Sequence, residues 1–190
     1  MNAAFAVAGS VWISVAWHRF LLSGERPTGV VPVWNASRFW GYLKTSLVVG
    51  LLLTGILFAV VLVASMVGSG LAAGGQIGAS MAFVSFLTGL ILNFVFLRLG
   101  PLFPAVAIGE KMRFPEAWRR TKPIAGACAA LALISSFVMP LYVSLLASIG
   151  PGSLAGLIIE LVLGWMILMF SVSVLTTIYS ATAPKDNPNG

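Results

Sequence analysis

The stretch Arg98–Pro123, RLGPLFPAVAIGEKMRFPEAWRRTKP, decides how this chain is built. It holds six of the eleven lysines and arginines and two of the five acids, and a long apolar run lies on each side of it. Basic connections between apolar runs are typical of membrane proteins, because positive charge accumulates in cytoplasmic loops. We therefore interpret this stretch as a basic, amphipathic cytoplasmic loop between two membrane spans.

The composition of the whole chain leads to the same class of protein. Hydrophobic residues make up 59% of the sequence and charged residues only 8%, whereas a soluble domain carries roughly 25% charged residues. The mean hydropathy is +1.01. We assign the net charge of +6 to cytoplasmic loops that face anionic lipid headgroups, rather than to nucleic acid. A single cysteine, Cys128, excludes a disulfide framework.

Five apolar runs reach the length of about 20 residues that a helix needs to cross a membrane. The sequence therefore predicts an all-α transmembrane helix bundle formed by one membrane domain, residues 1–190, with spans at about 3–22, 42–67, 81–97, 123–148 and 154–178. Asn35 is a candidate N-cap before the second span. Pro115 favours a short helix through Thr121, Pro140 should kink or break the fourth span, and the tail 179–190 should be disordered.

The distribution of lysine and arginine predicts the orientation of the bundle. The first and third connections carry four and six of these residues, the second and fourth carry none, and the tail carries one. Since positive charge marks the cytoplasmic side, we expect the N-terminus outside and the C-terminus in the cytoplasm. In the third connection, anionic lipid or a partner subunit could contact a basic set that we define as Lys111, Arg113, Trp118, Arg119, Arg120 and Lys122.

Glu160 is the only charged residue predicted inside a span, where a carboxyl group is costly and indicates function by default. Gly156 and Gly164 lie one turn on either side and would allow another helix to approach closely. We therefore expect Glu160 to face protein rather than lipid. Two interpretations stay open. The carboxyl could bind a proton or cation, or it could have a structural role, either hydrogen-bonded between helices, for example by Tyr142 or Ser144, or reaching the outer interface with water.

Two further polar stripes occur at four-residue spacing. Ser85, Gly89 and Asn93 share a helix face, which indicates interhelical hydrogen bonds or a transport pathway. His18 follows Ser10 and Ser14 on another face, but a lone histidine makes a weak metal ligand. We therefore expect His18 to lie at the cytoplasmic interface.

Sequence patterns of catalysis are absent. The chain has no Gly-rich phosphate loop, no H-E-x-x-H and no G-x-S-x-G. We therefore expect no enzymatic activity, no cofactor and no metal. The leading hypothesis is an accessory or assembly subunit that packs against a larger membrane complex. The alternative is a small oligomeric transporter or channel that uses Glu160 and Asn93.

Two stretches also carry a family resemblance. WHRFLLSGERP (Trp17–Pro27) and RLGPLFPAVAIGEKMRFPEAWRRTK (Arg98–Lys122) resemble a pattern in a family of small, uncharacterised integral membrane proteins of proteobacteria. The resemblance implies a location in the bacterial inner membrane and no particular activity. A looser similarity, in topology alone, links the chain to the membrane domain of some glycerophosphodiester phosphodiesterases, whose catalytic domain is absent here.

Overall fold

The structure, a computed structural model, describes residues 3–25, 32–71, 77–149 and 153–183. Within these ranges the chain forms seven α-helices and no strand. The helices are α1 Ala3–Ser23, α2 Ala36–Leu71, α3 Ile77–Leu99, α4 Leu102–Ile108, α5 Phe114–Arg120, α6 Ala125–Ile149 and α7 Leu154–Thr182. A 3₁₀ turn at Lys122–Ile124 joins α5 to α6.

Among the described residues, five helices are long and apolar enough to cross a membrane: α1, α2, α3, α6 and α7. This confirms the predicted all-α transmembrane bundle. The longest, α2, has 36 residues and extends over about 54 Å at ~1.5 Å per residue. It starts next to Asn35, whose Oδ1 accepts a hydrogen bond from the Arg38 backbone N–H at 3.2 Å. The predicted N-cap is therefore confirmed.

Some predicted boundaries are wrong. The α6 helix continues through Pro140 to Ile149, so the helix does not break there, and a kink at Pro140 stays a prediction. The last helix continues to Thr182 because Tyr179 is buried and its hydroxyl donates to Glu110. Residues 179–182 are therefore helical rather than disordered, and the predicted tail from residue 184 lies outside the described residues.

The short helix α4 is the main difference from the predicted architecture. The sequence predicts a cytoplasmic loop at 98–122, but α4 is buried against α1, α2 and α7. Leu102 is only 2% exposed, and Ala105 and Ala107 are fully buried. The reason is composition: residues 99–109 carry no charge, so the first part of this stretch packs as core. Only the second part, from Glu110 onwards, carries the solvent-facing charges.

A glycine ends α4 where a larger residue would not fit. Gly109 has φ +97°, and its N–H bonds the carbonyls of Ala105 and Val106. The left-handed conformation favours glycine. A Cβ here would also collide with the guanidinium group of Arg38. The C-terminal end of α4 therefore packs closely against the first turn of α2.

Burial divides the molecule into two halves. We call residues 11–25, 32–53, 88–136 and 172–183 the basic half, and residues 5–10, 54–66, 83–87, 137–149 and 153–171 the opposite half. Every buried side chain among the described residues lies in the basic half. The core therefore occupies one end of the bundle, where α4 fills the space between the long helices.

Candidate functional site

His18 is buried in the basic half rather than exposed at an interface, which corrects the prediction. Its Nδ1 lies 2.8 Å from Thr176 Oγ1 and its Nε2 lies 3.5 Å from the Tyr42 hydroxyl. The Thr176 hydroxyl donates to the Val172 carbonyl, so it accepts from the Nδ1–H of His18. Both ring nitrogens contact protein groups, and the histidine joins α1 to α2 and α7.

Arg98 is a buried cation at the end of α3. The residue is 4% exposed, its Nη2 donates to the Trp118 carbonyl at 2.6 Å, and its guanidinium carbon lies 4.4 Å from the Trp118 ring centroid. This stacking is a cation–π contact. The Nε has no hydrogen-bond partner, and no carboxylate among the described residues pairs with Arg98. Its positive charge is therefore uncompensated directly behind Trp118.

Thr121 fastens the end of α5 to the end of α3. Its buried hydroxyl lies 2.9 Å from the Ala117 carbonyl and 3.1 Å from the Arg98 carbonyl. A hydroxyl proton shared between these two acceptors holds both helix ends in one place. The short α5 helix, which is too short to be stable alone, thereby obtains a fixed position on the bundle.

Both acids of the loop pair with one arginine. Arg120 Nη2 donates to Glu110 Oε1 at 3.0 Å and to Glu116 Oε1 at 2.6 Å, and the Tyr179 hydroxyl donates to the other Glu110 oxygen. The Arg120 bond lowers the pKa of Glu116 below its ordinary value. Partial burial by itself would lower the pKa of Arg120, but its bonds to Glu116 and Glu110 outweigh this effect and raise it.

The sequence analysis missed the Glu110–Tyr179 bond, which joins residues 69 positions apart. No local pattern contains that information. The Glu116–Arg120 pair, in contrast, has the i,i+4 spacing that favours an ion pair on a helix, and this signal was available.

In the part of the chain that the structure describes, one cation of the predicted basic set forms ion pairs, and the other four do not. Arg120 is engaged by both acids. The other cations are exposed and have no acidic partner among the described residues: Lys111, Arg113, Arg119 and Lys122. The role predicted for this set, contact with lipid or a partner, stays a prediction.

Glu160 is exposed on α7, and nothing among the described residues bonds or pairs with it. Neither Tyr142 nor Ser144 therefore bonds Glu160 in the described structure, and the expectation that Glu160 faces protein rather than lipid stays a prediction. A Cβ on Gly164 would lie 3.9 Å from the Tyr142 hydroxyl of α6, so this end of the face does approach a helix. Successive four-residue steps rotate by about 40° around a helix, and Glu160 falls beyond the contact.

The predicted polar residues of α3, Ser85, Gly89 and Asn93, also differ in their surroundings. Asn93 donates to the Gly89 carbonyl of its own helix at 2.9 Å, so the predicted interhelical bond is replaced by an intrahelical one. A Cβ on Gly89 would lie 3.8 Å from Ser136 Oγ on α6, which places Gly89 at a helix contact. Ser85 is exposed.

Two surface grooves occur in the basic half. One, of about 280 Å³, lies between α1 and residues 32–35, with Trp12, Trp17 and Val33 among its lining residues. The other, of about 500 Å³, lies between α2, α3 and α5 and is open to the surface. We call the second one the α5 groove. Among the described residues no three His, Cys, Asp or Glu side chains are placed to hold a metal ion.

Comparison with known proteins adds no family assignment: no family model matches the chain, and no curated protein or solved structure is similar to it. The resemblance carried by Trp17–Pro27 and Arg98–Lys122 stays a prediction. Function is therefore argued from the contacts and charges above.

Proposed function

We propose that this protein is a non-enzymatic accessory or assembly subunit that packs against a larger membrane complex through the Glu160 face of α7. The observation that carries this proposal is the exposed carboxyl of Glu160, which lacks a partner among the described residues. Within a membrane an unpaired carboxylate is costly. A transmembrane helix of another subunit that bears a cation or a hydrogen-bond donor would remove this cost.

The position of Glu160 supports a contact inside the membrane rather than at its surface. It is the seventh residue of α7, which starts at Leu154, and therefore lies about 9 Å along the helix at ~1.5 Å per residue. Gly156, one turn before it, is a small residue beside which a second helix can approach closely. A partner helix with a polar residue at the same depth fits this surface.

The surroundings of Glu160 agree with a subunit contact. Large apolar side chains are exposed on the same part of α7, including Leu157, Leu161 and Trp165. Lipid covers such side chains well, and so does a second apolar helix. The carboxyl group distinguishes the two environments, because lipid tails offer no hydrogen-bonding group whereas a protein partner can supply one.

We further propose that the protein lies in the bacterial inner membrane with its basic half towards the cytoplasm. All lysines and arginines of the described residues belong to that half, and positive charge favours the cytoplasmic side. This orientation puts the N-terminus outside and the C-terminus inside. A reporter fused after Gly190 that is active only outside the cytoplasm would contradict it.

Native mass spectrometry of the tagged protein, extracted gently from its own membranes, tests the subunit contact. We expect a heteromeric complex, and we expect Gly156→Leu and Glu160→Leu each to reduce the recovered partner about tenfold, since interhelical packing and polar contacts contribute ~1–2 kcal/mol. Ser65→Leu adds similar bulk at an exposed position of α2 and should retain the partner. Unchanged partner recovery in both α7 variants would rule out this contact.

A small oligomeric transporter is the second candidate. The outward position of Glu160 would place it on a path between copies of the chain, if several copies assemble through α7. Asn93 gives this candidate less support, since its amide donates within α3. A homo-oligomer whose pH-dependent flux in liposomes is abolished by Glu160→Gln would favour transport over the accessory role.

A further inference from the structure

We propose that the α5 groove is a binding site for one anionic phospholipid. An acyl chain would lie against the apolar walls, and the phosphate headgroup would lie between cations on α2 and α5. This inference is independent of the Glu160 contact, which lies in the opposite half.

The walls of the groove are apolar on all three sides. They comprise Val48 and Leu52 of α2, Val95 and Leu99 of α3, and Phe114 and Trp118 of α5. The groove has a volume of about 500 Å³ and opens to the outside of the bundle. An open apolar groove along membrane-spanning helices fits a hydrocarbon chain, because lipid tails are as apolar as its lining.

The wall formed by α5 continues into two cations. Trp118 lies three residues and Arg119 four residues after Pro115, the spacing that puts side chains on one face of α5. Lys122 lies four residues after Trp118, at the start of the 3₁₀ turn that follows α5, and all four residues are exposed. Pro115 and Trp118 line the groove. Arg119 and Lys122 extend the same stripe and therefore lie at its edge.

The wall formed by α2 ends in a cation as well. Lys44, Val48 and Leu52 follow each other in four-residue steps, so they share one face of α2. Val48 and Leu52 line the groove, and Lys44 is exposed one turn closer to the start of the helix. Positive charge thus flanks the apolar surface on two sides, as a phosphate above an acyl chain requires.

Nearby acids do not neutralise the positive charge at the edge of the α5 groove. Glu110 and Glu116 are both bonded to Arg120, which gives this cluster a net charge of −1, and Glu116 also interacts electrostatically with Arg119. The four cations Lys44, Arg119, Arg120 and Lys122 against these two acids still leave a net charge of +2 around the groove. The buried guanidinium of Arg98 adds a further uncompensated positive charge directly behind Trp118. An anion is therefore favoured over a zwitterion at this place.

Trp118 itself supports a lipid as the occupant. The indole is 42% exposed, and tryptophan prefers the level of the lipid headgroups. A phospholipid contacts the indole, the apolar walls and the cations together, whereas a free phosphate ion would contact the cations alone.

Native mass spectrometry with equal amounts of phosphatidylglycerol and phosphatidylcholine tests the preference. We expect wild type to retain one phosphatidylglycerol, and Arg119→Gln with Lys122→Gln to reduce its preference about thirtyfold, or about fivefold for each cation near the surface. Arg19→Gln with Lys111→Gln removes the same charge at positions that do not line the groove and should keep the wild-type preference. An equal loss of the preference for phosphatidylglycerol in both double variants would show only a general attraction between the cations and anionic lipid. That result would overturn the proposal.

Quenching of tryptophan fluorescence by brominated lipids locates the lipid without weakening the fold. The component of fluorescence that disappears in Trp118→Phe should be quenched more strongly by brominated phosphatidylglycerol than by brominated phosphatidylcholine. Inorganic phosphate should not reverse this quenching. Equal quenching by both lipids, or reversal by phosphate, would exclude an anionic phospholipid in the α5 groove.

Discussion

The two halves of this bundle differ in composition and in packing, and the packed core lies in the half that carries the charges. In the basic half, His18 is fully buried and Leu102 is 2% exposed, whereas in the opposite half Phe58 is 67% and Leu154 is 75% exposed. The difference follows from α4, which fills the space between α1, α2 and α7 at one end only. A short buried helix is thus sufficient to change lipid-facing helices into a packed core.

Polar contacts follow the same division. The basic half contains the interhelical bonds of His18, Arg98 and Thr121. In the opposite half, the hydroxyls of Thr54 and Ser148 bond only carbonyls of their own helices. One half is therefore held by the chain itself, and the other relies on its surroundings, which include the proposed partner of Glu160.

The largest test of this comparison removes a core side chain. Leu102→Ala leaves a cavity in the core beside α4. We expect it to lower the free energy of unfolding by about 2 kcal/mol or more. Leu157→Ala, at a side chain that is 56% exposed, should change it by less than about 0.5 kcal/mol. Thermal unfolding of both variants in the same detergent measures the contrast. Equal effects would mean that the core is not confined to the basic half.

A second test uses two glycines. Gly109→Ala should cost about 1–2 kcal/mol, because the residue has φ +97° and a Cβ would displace Arg38. Gly55→Ala, in the opposite half, has nothing within 4 Å of the added Cβ and should stabilise α2 by up to about 1 kcal/mol. A lower melting temperature for Gly109→Ala and a higher one for Gly55→Ala would support the difference between the two halves. A neutral Gly109→Ala would show that α4 does not depend on its glycine end.

Much of the fold is predictable from local patterns. Run length predicts the five long helices, and Asn35 and Pro115 predict the starts of α2 and α5, where the structure has them. The burial of α4 was missed because two prolines and the nearby charges resemble a loop. The charge-free residues 99–109 were the available signal. Whether such a segment is buried depends on how α1, α2 and α7 meet, which is a long-range property.

The candidate sites show where periodicity fails. Spacing correctly puts Glu160 and Gly164 near one face, but the outward position of Glu160 depends on where around α7 the contact with α6 lies. The same limit applies to His18, because its partner Thr176 is 158 residues away. The cations of α5 and the Glu116–Arg120 pair, in contrast, are recognisable from spacing alone, and only the pairing of Glu110 with Arg120 needed the structure.

The smallest expected effect concerns pH and the Arg120 cluster. The pKa of Glu116 is lowered in the folded state by its bond to Arg120, from an ordinary value of 4.5. The charged carboxylate therefore stabilises the fold above pH 4.5, and this contribution is lost as the pH falls through the lowered pKa. Glu116→Gln lacks the contribution at every pH. The difference in melting temperature between wild type and Glu116→Gln should accordingly be positive at neutral pH and shrink below pH 4.5.

The comparison of wild type with Glu116→Gln isolates the charge of Glu116, because glutamine has nearly the same size and shape as glutamate. The surface position of the pair keeps the difference small, since water and salt screen exposed charges. Added salt should therefore reduce the difference in melting temperature at neutral pH, just as a fall in pH does. A difference that persists unchanged at low pH would mean that Glu116 stabilises α5 through packing rather than through its charge, and the basic half would then be held at this point by shape alone.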